Sequence, residues 1–353
     1  MARAAGRANP RFWLKAAACL ALLVASAARG APGVAEGPEG LLVPRSPLVG
    51  GLPAMALPSP AMPLPSPAMP MPLPLRTMPG APLPPPTMPA RPQPSGGYVK
   101  FAYPSAVAAY GPDAYVADSG LAALFRIDLA TQTVKRLAGL PVTPGVVLRA
   151  GPDGTLYLIR PDRSEIQRLS RDGRVLASYA DAAKLLQPRD MVVEPTLGRV
   201  WITDASGEVF EFQPSGALFE PLSRRDPSSA AGGFGTFSLL AAGSRLVVAY
   251  DGRCRCLVKL DRDGIPGEHI GEGNLTSPAA LAIDTHQRIW VVDRADRLLK
   301  VFWEGHLVAQ LAPARLGLLD FTGLAIDQQR LYIADGPGGR IGIFDLLPPK
   351  AAP

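Results

Sequence analysis

"VWITDASGEVFEF", Val200–Phe212, and "IWVVDRADRLLKVF", Ile289–Phe302, say nearly the same thing twice. Each is a short apolar run that closes on aspartate, a polar turn, and a second apolar run. That is the pattern of a hairpin. Aligning on the first run adds "AYVAD" (Ala114–Asp118), "LYLIR" (Leu156–Arg160), "LVVAYD" (Leu246–Asp251) and "LYIAD" (Leu331–Asp335). Their second residues are Tyr115, Tyr157, Trp201, Val247, Trp290 and Tyr332, and neighbours lie 42 to 46 positions apart.

Other features keep that register. A preceding run opens on Pro104, Pro144, Pro188 or Pro278, and a following run reads "LFRID", "IQRLS", "VFEFQ", "CLVKL", "LLKVF" or "IGIFD". Turns such as Asp172-Gly173 and Asp263-Gly264 then lead to a fourth run. A repeat of forty-odd residues with four strands is a propeller blade, and one blade cannot bury both its faces. The sequence therefore predicts an all-β, six-bladed propeller of four-stranded antiparallel blades over residues 98–350. The sixth unit ends one strand short. "GYVKFAY", Gly97–Tyr103, is a strand without a blade and is expected to close the ring. In each unit the aromatic should pack between blades. The aspartates Asp118, Asp204, Asp251, Asp293 and Asp335 should be structural, accepting backbone N–H groups in the turn that follows.

Upstream the composition changes. Arg3, Arg7, Arg11 and Lys15 precede the apolar run Ala16–Ala28, with a small-residue cleavage pattern at Ala25-Ser26-Ala27. Residues 1–28 read as a secretory signal peptide, or an N-terminal anchor if retained. Residues 29–97 hold most of the 40 prolines. Proline at that density forbids helix and sheet, so a disordered, polyproline-II-like linker is expected. Six of the eight methionines (Met55, Met62, Met69, Met71, Met78, Met88) lie in it. Thioethers suit Cu(I); the plainer reading is a spacer that grew by duplication. The protein is expected to be exported, periplasmic or extracellular, and monomeric. The composition points to a bacterial source. Membrane contact is expected only through a retained leader.

The net charge of +6 belongs wholly to the leader and linker; residues 98–353 balance at zero. No basic field remains to attract phosphates, so nucleic acid is set aside. No nucleophile with a base and an orienting group stands at a recognisable spacing, and no catalytic residue is assigned. Cys254 and Cys256 make no disulfide framework. They read as a bent C-x-C disulfide or inert thiols, a soft-metal pair, or a reactive pair. Asn274-Leu275-Thr276 is a glycosylation sequon that matters only in a eukaryotic secretory pathway.

"PSAVAAYGPDAYVADSGLAALFRIDL" and "SPAALAIDTHQRIWVVDRADRLLKVF" resemble NHL repeats, and "VWITD" also resembles the YWTD-type propeller repeat. The resemblance spans about 250 residues and speaks to fold, which such families share across binding modules and enzymes. Gluconolactonase-like hydrolases of this fold hold a divalent metal with carboxylates and amides at the starts of the inner strands. The matching positions here are Ser105, Gly145, Arg189 or Asp190, Phe237 or Ser238, Ala279 and Gly323. They supply one acid, where a hard cation wants several oxygens. Peptide-amidating lyases hold zinc with histidines. His286 and His306 are expected in turns on the face opposite the aspartate corners.

The expected function is therefore a scaffold that binds a protein, peptide or glycan, with no cofactor. The alternative is a metal-dependent hydrolase or lyase at the channel mouth, anchored by Asp190. The candidate binding rim is Arg189, Asp190, Arg224, Arg225, Asp226, Phe234, Arg315 and Asp320. It follows the long connections Ser223–Thr236 and Ala312–Thr322, where recognition usually sits.

Overall fold

In the computed structural model the described residues are 41–44, 100–137, 139–180, 185–196, 198–212, 218–221 and 236–349. The first strand is β1, Leu42–Pro44. Blade one is β2 (Pro104–Tyr110), β3 (Asp113–Asp118), β4 (Ala123–Asp128) and β5 (Thr133–Leu137). Blade two is β6 (Val147–Ala150), β7 (Leu156–Arg160), β8 (Glu165–Leu169) and β9 (Val175–Tyr179). Blade three is β10 (Asp190–Val193), β11 (Val200–Thr203), β12 (Val209–Phe212) and β13 (Leu218–Pro221). Blade four is β14 (Phe237–Ala242), β15 (Val247–Asp251), β16 (Cys256–Leu260) and β17 (Pro266–Ile270). Blade five is β18 (Pro278–Ile283), β19 (Ile289–Asp293), β20 (Leu298–Trp303) and β21 (His306–Leu311). Blade six is β22 (Gly323–Asp327), β23 (Arg330–Asp335), β24 (Arg340–Leu346) and, from the other end of the chain, β1.

All pairings are antiparallel, and each first strand packs against the first strands on either side, β22 against β2 included. The ring is closed around a channel lined by those first strands. Six buried clusters fill the six blade interfaces. Strand alternation sends successive residues to opposite neighbours. In β3, Tyr115 and Ala117 face blade two, while Ala114 and Val116 face blade six. This is why the second strands are apolar between their ends, and why their aromatics Tyr115, Trp201, Trp290 and Tyr332 are fully buried.

The ring is closed by Leu42–Pro44, not by residues 97–103. Leu42 pairs with Leu346 and Pro44 with Phe344. Leu42 is buried among Phe344, Leu346 and Leu311 of the interface between blades five and six. Residues 100–103 form no strand. Phe101 instead inserts between blades six and one, edge-on to Phe125 at 5.5 Å. The interval 29–97 is therefore not a linker throughout, since its residues 42–44 belong to the propeller. In chain order, residues 45–99 stand where other blades have their connection to the next one, such as 271–277 between β17 and β18. The leader, residues 29–40 and residues 45–99 lie outside the described residues, as does the methionine tract.

The aspartates that close second strands are buried, and each ties two segments together. Asp118 accepts the N–H groups of Ala102 (2.7 Å) and Tyr103 (3.0 Å) before β2, and of Leu121 (2.9 Å) after β3. Asp335 accepts Leu319 and Asp320 on one side and Gly338 and Arg340 Nε on the other. Asp204 and Asp251 do the same with Leu186 and Ser206, and with Thr236 and Arg253. Asp293 takes Thr276 and Ser277, and also the buried Lys300 Nζ at 2.9 Å. Four of the knots thus hold the entry to a blade's first strand against the exit from its second, while that of Asp293 holds the entry against the third strand through Lys300. The turn predicted from sequence is only half of it. Blade two lacks the knot and has Arg160 there, 3.7 Å from Asp162 and 3.9 Å from Glu165.

Candidate site at the channel mouth

The first strands start at the face that carries the aspartate knots. A cavity of about 410 Å³ opens there, lined by Tyr103, Ser105, Gly145, Arg149, Asp190, Leu239, Ala279, Arg294, Asp320 and Gly323, among others. A second, mostly apolar cavity of about 290 Å³ opens between the far ends of the same strands, with Asp327 at its edge. Arg149 lines both cavities. Val107 and Leu324 line both as well, so the two cavities meet at the level of these three residues.

Arg149 is fixed there by Asp190. Its Nη2 donates to both carboxylate oxygens, at 2.8 and 3.0 Å. Its Nε donates to the Met191 carbonyl at 3.1 Å. Asp190 is fully buried, and it also accepts the N–H groups of Met191 (2.8 Å) and Leu240 (2.9 Å). One carboxylate thereby joins blades two, three and four. Burial pushes the Asp190 carboxyl above its ordinary range, against the lowering pull of Arg149 and the two backbone donors. Both oxygens are committed, so Asp190 has no face left for a cation or a water.

The remaining strand starts bring no other acid. Ser105, Gly145, Ala279 and Gly323 line the mouth as their register predicts. In blade four the lining residue is Leu239, not Phe237 or Ser238. A bulge between Phe237 and Leu239 shifts the register and turns Phe237 into the blade interface. A divalent cation asks for several oxygen ligands, and this set does not fit one.

The predicted rim residues divide. Asp190 is buried in the channel wall. Asp320 lines the mouth, with its Oδ1 accepting the Phe321 N–H and lying 4.0 Å from Arg297. Arg189 and Arg315 are exposed, but neither lines the cavity. Arg224, Arg225, Asp226 and Phe234 lie outside the described residues. Arg149, Tyr103 and Arg294 are among the lining side chains that the sequence reading did not place at the site. Arg149 stands out as the charge inside the inner strand "VLRA". Tyr103, 43 % exposed, and Arg294, on the turn after β19, carry no such signal.

The histidines do not gather. His286 sits on the hairpin between β18 and β19 and His306 at the start of β21, both at the face opposite the mouth. His269 is exposed on β17, the outer strand of blade four. Cys254 and Cys256 form a disulfide with Cα atoms 5.2 Å apart. Arg255 between them takes φ +53°, and this is the bend the bridge requires.

No family model matches the chain, and no curated protein matches it. Solved structures do. Virginiamycin B lyase from Staphylococcus aureus matches with a TM-score of 0.51 at 13 % identity, covering 70 % of this chain and 96 % of that one. A gluconolactonase from Xanthomonas campestris matches with a TM-score of 0.54 at 18 % identity, covering 70 % and 87 %. A streptogramin B lyase matches with 0.50 at 12 %, covering 70 % and 95 %. At these identities the likeness is one of fold: this chain is a six-bladed propeller similar to those of known lyases and lactonases.

Proposed function

We propose that the chain is an exported, monomeric NHL-type propeller that binds a protein, peptide or glycan at the mouth of its channel. One observation carries this reading: Asp190, the only acid at the strand starts, is buried and held by Arg149 and two backbone donors. What the mouth offers a visitor is a contact surface. Tyr103 supplies an exposed ring, Arg294 a guanidinium and Asp320 a carboxylate. An amphipathic ring with charged groups around it suits polar ligands that bring both apolar and hydrogen-bonding surface.

The second reading, a metal-dependent hydrolase or lyase, draws on the lyase and lactonase neighbours. It would have to recruit its ligands from the connections, and Asp190 would have to leave Arg149.

A photo-reactive amino acid at position 103 or 294 of the native exported protein tests the first reading. Adducts of one defined species from both positions, and none from position 306 on the opposite face, are expected. A screen of lactones and esters with added divalent cations tests the second. Turnover that disappears in Asp190→Ala, with the fold intact by its melting curve, would replace the binding reading.

A further inference from the structure

Blade four carries separate chemistry at the turn after its second strand. Asp251 ends β15, residues 252–255 turn the chain, and Cys256 opens β16. Cys256 is buried, while Cys254 is half-buried on the turn, so one sulfur of the disulfide stands within reach of a solvent thiol. The next strand, β17, places His269 opposite Val258. A ring nitrogen of His269 and the two sulfurs all lie within 4.8 Å of one another. His269 Nδ1 is 2.9 Å from Glu272 Oε1. That contact engages Nδ1, so a metal would be met by Nε2.

The geometry points to a reduction-gated site for a thiophilic divalent cation of the zinc class, held by Cys254, Cys256 and His269 with water in the fourth position. Two thiolates and an imidazole are a zinc donor set, whereas hard cations take oxygen. Glu272 has the place of the carboxylate that orients a ligating histidine. Two thiolates cancel the charge of the dication, so Arg253 and Arg255 on either side do not oppose it, and their charge favours the thiolate form. A dithiol reductant opens the site. It gives two electrons, the S–S bond breaks, each sulfur takes a proton, and the reductant leaves as its own disulfide. Metal binding then releases both protons. With zinc–sulfur bonds of about 2.3 Å the sulfurs must separate. Cys254 lies on the turn and Cys256 on β16, so the movement falls to Cys254.

The test uses the full chain, reduced with a phosphine, its thiols located by alkylation and peptide mass spectrometry. Zinc is titrated against a chromophoric chelator, and cobalt serves as the optical probe. One zinc per reduced chain is expected, none for the oxidised chain, and a near-ultraviolet thiolate-to-cobalt band. His269→Ala, an exposed change that leaves the cysteines in place, should weaken zinc about tenfold or more, and Glu272→Gln about tenfold. The inference fails if chains with both cysteines alkylatable bind no zinc, or if His269→Ala binds it unchanged. Should reduction alone abolish the melting transition, zinc must restore it; no restoration overturns the site equally.

Discussion

Leu42 stands opposite Leu346, and through that pair two distant parts of the chain build one sheet. Without β1 the outer edge of β24 is open, and Phe344 and Leu346 lose their cover. A chain that begins at residue 98 should melt lower than the full chain and aggregate through that edge. A chain that keeps residues 29–45 but has a short Gly/Ser linker in place of 46–97 should melt like the full chain. Leu42→Ala should cost about 2–5 kcal/mol in denaturant unfolding. Equal stability of the two shortened chains would mean that β1 contributes nothing to closure.

The aspartate knots differ in what they leave behind when broken. Asp118→Ala deprives three N–H groups of their acceptor, a cost of about 1–3 kcal/mol. Asp293→Ala also takes one of two carboxylate partners from Lys300, whose side chain is only 4 % exposed. Asp296 and the Asn274 carbonyl remain to it. With these two partners left, the added loss is that of one charge-assisted hydrogen bond, about 1.5–3 kcal/mol. Asp293→Ala should therefore be the more damaging of the two in chemical denaturation. The reverse order would show that Asp296 alone suffices for Lys300.

Acid should act through the same residue. Burial works to raise Asp293, but the Thr276 N–H, Lys300 and the Ser277 N–H together hold its carboxyl below the ordinary range. A carboxyl lowered in the folded state contributes stability that is present above its unfolded value of about 3.9 and is lost as pH falls through the folded value. Melting temperatures between pH 6 and pH 3 should fall less steeply for Asp293→Asn than for the parent chain. Parallel curves would remove Asp293 from the acid response.

How much of this was legible before the structure depends on whether a residue's partner lies in its own repeat. The phrase around Trp201 and Trp290 recurs because each copy is a second strand buried on both faces, and a period of forty-odd residues fixes the six blades. Leu42–Pro44 has no such signature. It is three residues in a proline-rich stretch, and only Leu346, about 300 positions away, makes it a strand. Leu239 took the place expected for Phe237 or Ser238 because a bulge is a property of the strand pair, not of the run. Asp190 was visible as an acid at a strand start. Its clamp by Arg149 was not, since that contact crosses from one blade to the next.

That clamp makes the last prediction. Arg149→Ala leaves a buried carboxylate with only the Met191 and Leu240 N–H groups, and should destabilise by about 3–5 kcal/mol. Lysine at 149 cannot reproduce the forked contact to both oxygens together with the Met191 carbonyl. Arg149→Met combined with Asp190→Leu removes both charges and should recover most of the lost stability. The double variant should also make the neck between the two cavities apolar, since Arg149 lines both together with Val107 and Leu324. Urea unfolding of the three proteins checks the order, and xenon or a small hydrophobic dye checks the neck. If the double variant is as unstable as Arg149→Ala, blades two to four are held by the ion pair itself, not by the packing around it.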